Sequence, residues 1–207
     1  WENGNGKGEV KAALALVSVG RRANIDGLGL ENIGVMVERN AIVTNEKMQT
    51  NIPGVYAAGD VNGKLTLAHT AYREAAVAIN SILGKRDRMR YEAVPQVIYT
   101  DPEVASVGMS EADAKKAGME TRTIKLDANY SGRFMAENEG GAGMIKIVTE
   151  KSSGRILGMQ VCASYASEFI AQAAVFIELG MKIDDLKEIV FPHPTVCELI
   201  REAAFKY

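Results

Sequence analysis

Two of the 207 residues are histidines, and one of them, His193, stands in the closing run FPHPTVCELIREAAFKY, residues 191–207. Pro194 follows it directly and Glu198 comes five positions later. An imidazole beside a carboxylate can do acid–base chemistry: the acid holds one ring nitrogen and favours the protonated ring, leaving the other nitrogen to move protons. The same residues also suit the start of a helix. Pro194 would lose no hydrogen bond at a first helical position, and Thr195 with Glu198 has the spacing of a capping box. For an isolated histidine near an acid, the helix start is the stronger of the two readings. Glu198 is expected to serve either Thr195 or His193, not both fully.

A second stretch with chemical potential is TNIPGVYAAGD, residues 50–60. A buried strand that breaks at Gly59 and Asp60 delivers a carboxylate to the carboxyl edge of a sheet, where α/β folds place ligands. Glycine there permits close backbone approach, and the aspartate can accept hydrogen bonds from sugar-type hydroxyls. Gly-Asp alone reads as a strand end with a turn-forming acid; the eleven-residue pattern is far more specific. The two cysteines, Cys162 and Cys197, have no zinc-ligand spacing around them and are too few for a disulfide scaffold. They read as buried, inert thiols in a reducing compartment.

The elements that must position these groups divide the chain in two. With 24 basic against 26 acidic residues and a 47% apolar share, the composition is that of an ordinary globular protein and favours neither nucleic acid nor an anionic membrane surface as partner. WENGNGKGEVKA opens with the look of a hairpin turn. KAALALVSVG, residues 11–20, reads as an apolar strand buried on both faces, too short to cross a bilayer. Short strands with a turn near Arg39 and Asn40 follow, then the buried strand VYAAGDV. Residues 67–83 have a helical pattern whose apolar stripe is Ala68, Ala71, Tyr72, Ala75, Ile79 and Ile82, with Gly84 as the stop. The charged stretch KRDRMRYEA is the best candidate for a domain boundary.

Beyond it, QVIYT at 96–100 is a strand before the Asp101–Pro102 turn, and a short helix runs from Ser110 to near Gly118. TRTIKLDA is a strand; GMIKIVTE and RILGMQVCA are two more, joined through KSSG at 151–154 as a hairpin. Residues 166–179 form an apolar helix closed by Gly180, a short helix starts near Asp184 and Asp185, and the quoted run ends the chain. Antiparallel strands backed by helices make this half an α+β domain.

The 50–60 pattern resembles the second flavin-binding motif of the FAD-dependent pyridine nucleotide–disulfide oxidoreductases. The resemblance implies that Asp60 bonds the ribityl chain of FAD. Thr66, Leu67, Ala68 and His69 then open the alanine-rich helix, whose free N–H groups and positive dipole end would meet the flavin pyrimidine ring. His69 would contribute mainly its backbone. Thr66 stands where the family often has methionine, a tolerable change for backbone contacts. The Leu-Ala-His segment is that of the dihydrolipoamide dehydrogenases within the family. VGRRAN at 19–24 resembles the end of the NAD domain, with Gly20 passing close to the nicotinamide cofactor, although Ala23 replaces the usual proline. PQVIYTDPEVASVGMSE and TEKSSGRILGMQV resemble the interface domain through which these enzymes dimerise. His193 to Glu198 matches the terminal HPTxxE segment position by position, which implies a catalytic base that reaches across a homodimer, with a cis bond before Pro194. Phe191 departs from the family, which often has a second histidine there. Motif order thus reverses the balance in favour of the catalytic reading.

The resemblance implies a fold of α/β followed by α+β: residues 1–24 end an NAD-binding domain, 25–90 form a central flavin-contacting region, and 91–207 form the interface domain with its antiparallel sheet. It implies FAD and NAD as cofactors and no metal. The reaction would be oxidation of dihydrolipoamide through a disulfide and FAD to NAD+, in partnership with lipoyl domains of 2-oxoacid dehydrogenase complexes or the glycine cleavage system. The compartment would be a bacterial cytoplasm or, second, a mitochondrial matrix. The first flavin fingerprint is absent, since GNGKGE lacks the Gly-x-Gly-x-x-Gly spacing, and so are the paired redox cysteines. Both lie earlier in the family's chain, so the sequence is expected to be the carboxyl-terminal part of a longer enzyme, colourless and inactive alone. The alternatives are a related flavoenzyme (glutathione or mercuric reductase, or a soluble transhydrogenase) and a non-catalytic dimerisation module. A cysteine hydrolase using Cys197 and His193 ranks well below these.

Overall fold

The computed structural model describes every residue except Asn5, and divides into two units, Trp1–Met89 and Arg90–Tyr207. In the first unit, β1 (Glu2–Asn3) and β2 (Gly6–Lys7) pair antiparallel; Asn5 lies outside the described residues. β3 (Val37–Glu38) and β4 (Ala41–Ile42) form a second hairpin. Its two turn residues, Arg39 and Asn40, both have positive φ, at 48° and 61°, the combination that matches the twist of a two-residue hairpin. A small core of Val35, Ile42 and Ala57 is completed by Ile25, Leu30, Ile52, Val55 and Val61. Helix α1 spans Ala68–Ile82.

Three expectations fail in this unit. Residues 11–20 form no strand: Leu14, Leu16 and Val19 are 92%, 93% and 93% exposed. No strand among the described residues pairs with them, and a segment without ladder partners cannot bury its backbone donors and acceptors. VYAAGDV is likewise not a regular strand. Tyr56 makes one isolated bridge to Gln49, and from Asp60 to Asn62 the chain turns into a 3-10 helix. The α1 stripe is also reversed. Tyr72, Ile79 and Ile82 are 78%, 55% and 57% exposed, whereas Thr70, Glu74, Val77 and Ala78 are buried. Hydrogen bonding rather than apolarity sets that orientation, because the Glu74 carboxylate is the acceptor for the loop before the helix.

The second unit is built on a five-stranded antiparallel sheet in the order β5-β6-β9-β8-β7. The strands are β5 (Gln96–Ile98), β6 (Val104–Gly108), β7 (Thr121–Asp127), β8 (Met144–Glu150) and β9 (Ile156–Cys162). β6, in the VASVG stretch, is an element that the sequence reading missed. The β8–β9 hairpin forms as expected, with Met144 opposite Cys162 and a register shift near Val148 and Thr149. The short helices α2 (Glu111–Lys116) and α3 (Gly132–Glu137) precede the longer α4 (Ala166–Glu178) and α5 (Glu198–Phe205). α2 carries the expected start, a complete capping box between Ser110 and Asp113. One large core joins Ile145, Ile147, Met159 and Val161 of the sheet to Phe169, Ile170, Ala173 and Phe176 of α4 and to Leu199, Ile200 and Ala203 of α5. Their recurrence at steps of three and four residues along each helix is what turns one apolar stripe toward the sheet. Val148 and Leu157 pack with Ala114 of α2 in a separate cluster. The mix of an antiparallel sheet and covering helices is the α+β arrangement expected for this half. Among the described residues no helix is long and apolar enough to cross a membrane.

Candidate functional site

The terminal helix starts later than its sequence suggests. α5 begins at Glu198 with Cys197 before it, so Pro194 is not in a first helical turn, and the His193–Pro194 bond is cis, as the family resemblance implied. Within the loop the Thr195 hydroxyl donates to the Pro192 carbonyl at 2.7 Å. Glu198 Oε2 accepts from the Thr195 N–H at 2.8 Å, while Oε1 lies 2.9 Å from His193 Nδ1. The two readings of Glu198 are therefore compatible, because a carboxylate has an oxygen for each partner. Thr195 does not return the other half of a capping box: its hydroxyl donates to Pro192 and lies 3.2 Å from the Cys197 sulfur, and α5 has no side-chain cap at its start.

His193 is 78% exposed at its side chain and Glu198 only 17%. Burial works against the Glu198 charge, but the Thr195 N–H and the His193 ring outweigh it and hold the carboxyl below its ordinary value of 4.5, with Arg201 helping. With Nδ1 engaged, Nε2 is the nitrogen an exposed ring presents to its surroundings. Such an arrangement can take and return a proton at Nε2. Beside the loop a cavity of about 290 Å³ is lined by Arg133, Tyr165, Phe169, Thr195 and Cys197. Cys162 and Cys197 are half-buried free thiols.

In the first unit, Thr50 and Asn51 staple the turn that leads to Asp60. The Thr50 hydroxyl donates to the Val55 carbonyl at 3.0 Å and accepts from the Ile52 N–H. Asn51 reaches back to accept from the Met36 N–H at 2.8 Å and to donate to the Gly34 carbonyl at 2.9 Å. Gly59 then adopts φ 84°, open mainly to glycine, and the chain turns so that Asp60 is exposed. Asp60 heads a 3-10 turn, and its carboxylate has no partner among the described residues. Glu74 of α1, fully buried, accepts from the Gly59 N–H at 2.6 Å and from the Asn62 amide at 2.9 Å. It ties the Asp60 turn to the helix that Thr66, Leu67, Ala68 and His69 introduce. Thr66, Ala68 and His69 are exposed, Leu67 is half-buried, and α1 has no side-chain cap at its start. Sequence reasoning missed Glu74. The signal was its place with Thr70, Val77 and Ala78 on a second helical face, passed over because that face is less apolar.

Arg21, Arg22, Arg39, Lys64, Asn62 and Thr66 contribute to a cavity of about 520 Å³ in the same unit. Gly20 is exposed, with open space around it, and is not part of that lining. Thr44, also in the lining, is 8% exposed and its hydroxyl lacks a hydrogen-bond partner. Among the described residues no cluster could hold a metal ion.

Comparison with known proteins adds the family. The profile described as pyridine nucleotide-disulphide oxidoreductase, dimerisation domain, matches residues 94–204, more than half of the chain. The chain belongs to the pyridine nucleotide-disulphide oxidoreductases. A second profile of that family, without the dimerisation label, matches residues 2–75. The chain is 38% identical over 202 residues to the dihydrolipoyl dehydrogenase of Bacillus subtilis strain 168, with 96% of this chain and 43% of the relative covered. It is 41% identical over 202 residues to the dihydrolipoyl dehydrogenase of Thermus scotoductus, with 97% and 43% covered. The crystal structure of LpdA from Mycobacterium tuberculosis superposes with a TM-score of 0.88 at 30% identity, over 98% of this chain and 44% of that one. The chain thus spans about 43% of the length of the curated relatives it matches.

Membership of the pyridine nucleotide-disulphide oxidoreductases implies FAD and NAD as cofactors. The residues of the first unit fit such a dinucleotide. A free carboxylate suits ribose-type hydroxyls, an uncapped helix start suits an electron-rich ring edge, and cationic side chains beside an unpartnered hydroxyl suit a pyrophosphate.

Proposed function

We propose that this chain is the carboxyl-terminal part of a dihydrolipoamide dehydrogenase. In this reading residues 1–24 close the NAD-binding domain, 25–90 are the central flavin-contacting region and 91–207 are the interface domain. Asp60 would accept from the ribityl hydroxyls, the backbone of Thr66, Leu67, Ala68 and His69 would meet the pyrimidine edge, and Gly20 would let the nicotinamide cofactor approach. Bound FAD supplies the two-electron relay between a disulfide and NAD+.

His193 takes the proton. Oxidising a dihydrolipoyl dithiol to the cyclic disulfide releases two electrons and two protons, and a thiol attacks a disulfide only as its thiolate. His193 Nε2 would accept the substrate thiol's proton while Glu198, bonded at Nδ1, keeps the ring in one tautomer and stabilises the imidazolium. Exposure of the ring supports a role toward another subunit. The dyad of one protomer would serve the disulfide and flavin of its partner, and lipoyl domains of 2-oxoacid dehydrogenase complexes or the glycine cleavage system would present the substrate. Two free thiols support a reducing compartment, a bacterial cytoplasm or a mitochondrial matrix.

The observation that carries this reading is the divided Glu198 carboxylate, which fixes an exposed imidazole through Nδ1 and leaves Nε2 open. His193→Gln in the intact homodimeric enzyme is expected to lower lipoamide-dependent NAD+ reduction by about 100-fold or more, the scale of one general base, with flavin content unchanged. Undiminished turnover would return His193 to a structural role.

A further inference from the structure

We propose that Ser131 is a positioning residue for the terminal dyad, holding the Thr195 peptide that in turn holds Glu198. This extends the acid–base reading given above and rests on it. Ser131 stands just before α3, distant in sequence from the dyad, and is 1% exposed. Its hydroxyl does two things at once. It accepts from the Phe134 N–H at 3.1 Å, capping α3, and it donates to the Thr195 carbonyl at 3.0 Å. A hydroxyl has one donor and two acceptor sites, so both bonds can form together.

The Thr195 residue so pinned offers its N–H to Glu198 Oε2 at 2.8 Å. Its hydroxyl bonds the Pro192 carbonyl, closing the loop around His193. Among the described residues His193 itself has one anchor, the Glu198 carboxylate at Nδ1. The orientation of an exposed ring therefore depends on a chain of contacts: Ser131 to Thr195, Thr195 to Glu198, Glu198 to His193. The Ser131 link is the one that reaches outside the loop and its own helix. The charged groups that act on Glu198 are His193 and Arg201. Neither is on α3, so Ser131 works on the carboxylate through geometry and not through charge.

Capping and clamping can be separated by the choice of variant. Replacing an N-cap serine with glycine costs a helix only a few tenths of a kcal/mol, so Ser131→Gly removes the donor to Thr195 with little loss at α3. Ser131→Thr keeps both functions of the hydroxyl. The measurement is the titration of the Glu198 side-chain carboxyl by carbon NMR in this chain, with Asp113, whose carboxyl is held low by Ser110, as the internal control.

Ser131→Gly is expected to raise the proton affinity of Glu198 by about threefold to fivefold, the worth of one ordinary hydrogen bond. Asp113 should stay unchanged and Ser131→Thr should stay near wild type. An unchanged Glu198 midpoint in folded Ser131→Gly overturns the proposal, as does a threonine variant that shifts as far as the glycine one. Should the glycine variant unfold, wild type against Ser131→Thr and Ser131→Ala gives the same comparison. The catalytic reading fails separately: a Glu198 shift alongside undiminished turnover of His193→Gln in the intact enzyme keeps the clamp and removes the chemistry.

Discussion

Replacing Glu74 with alanine removes one buried oxygen that accepts from the Gly59 N–H at 2.6 Å and from the Asn62 amide at 2.9 Å. Both donors are themselves buried, Asn62 being 6% exposed. A hydrogen bond to a charged acceptor contributes about 1.5–3 kcal/mol, and a stranded buried donor carries its full desolvation cost. Because the two bonds share an oxygen they are not additive, and the combined loss comes to about 3–5 kcal/mol. That is a large fraction of the roughly 5–15 kcal/mol that separates folded from unfolded states, in a unit whose core is small. Hydrogen exchange read by mass spectrometry on this chain would show it. Peptides covering residues 55–80 should exchange faster by about two to three and a half orders of magnitude, while those covering β8 and β9 stay protected. Glu74→Gln can keep its amide oxygen at the shared acceptor position but loses the charge, so it should fall between wild type and alanine. If Glu74→Ala leaves exchange at 55–80 within about tenfold of wild type, the carboxylate is not what joins the Asp60 turn to α1.

Two glycines of the second unit have similar backbones and opposite tolerance. A Cβ at Gly108 (φ +76°) would lie 2.2 Å from the Leu157 carbonyl oxygen and 2.8 Å from the Gly158 Cα, whereas one at Gly118 (φ +72°) meets nothing within 4 Å. Gly118→Ala should cost only the left-handed backbone penalty of about 1–2 kcal/mol, and Gly108→Ala several times more because β6 and β9 cannot keep their spacing; equal denaturation midpoints for the two variants would contradict this. Asp87 gives a pH test in the first unit. Bidentate bonds from Arg73, then Asn80, hold its carboxyl well below its ordinary 3.8. A carboxylate with a depressed folded value stabilises above its unfolded value and loses that contribution as pH falls. Asp87→Asn should therefore be less stable than wild type above about pH 5, with the difference shrinking as pH drops through 3.8 and below; a pH-independent gap in thermal unfolding would refute the ion pair as its cause.

Much of the second unit was legible in its residues. Alternating strands around KSSG, the Ser110–Asp113 cap and the apolar helix before Gly180 are local patterns, and each strand found neighbours within the unit. The first unit was less so. Its apolar 11–20 run carries a strand pattern, but pattern alone does not supply a pairing partner, and Leu14, Leu16 and Val19 remain exposed. Asp60, His193 and Glu198 could be named as candidates because their motifs are contiguous. Glu74 and Ser131 could not, because each acts on a residue that is distant in sequence, 15 positions away for Gly59 and 64 for Thr195.

The sequence by itself determined which groups could react and in what order along the chain: a carboxylate after a glycine, an uncapped helix start, an imidazole with an acid five residues on. Tertiary structure alone decided how those groups are held. Which face of α1 turns inward and what pins the terminal loop depend on hydrogen bonds between segments that no local pattern connects, and the folded loop lets Glu198 bond both Thr195 and His193. Burial makes each unpaired donor costly, so the fold settles on an arrangement that satisfies most of them, with the Thr44 and Thr70 hydroxyls as exceptions among the described residues, and that requirement is written in three dimensions.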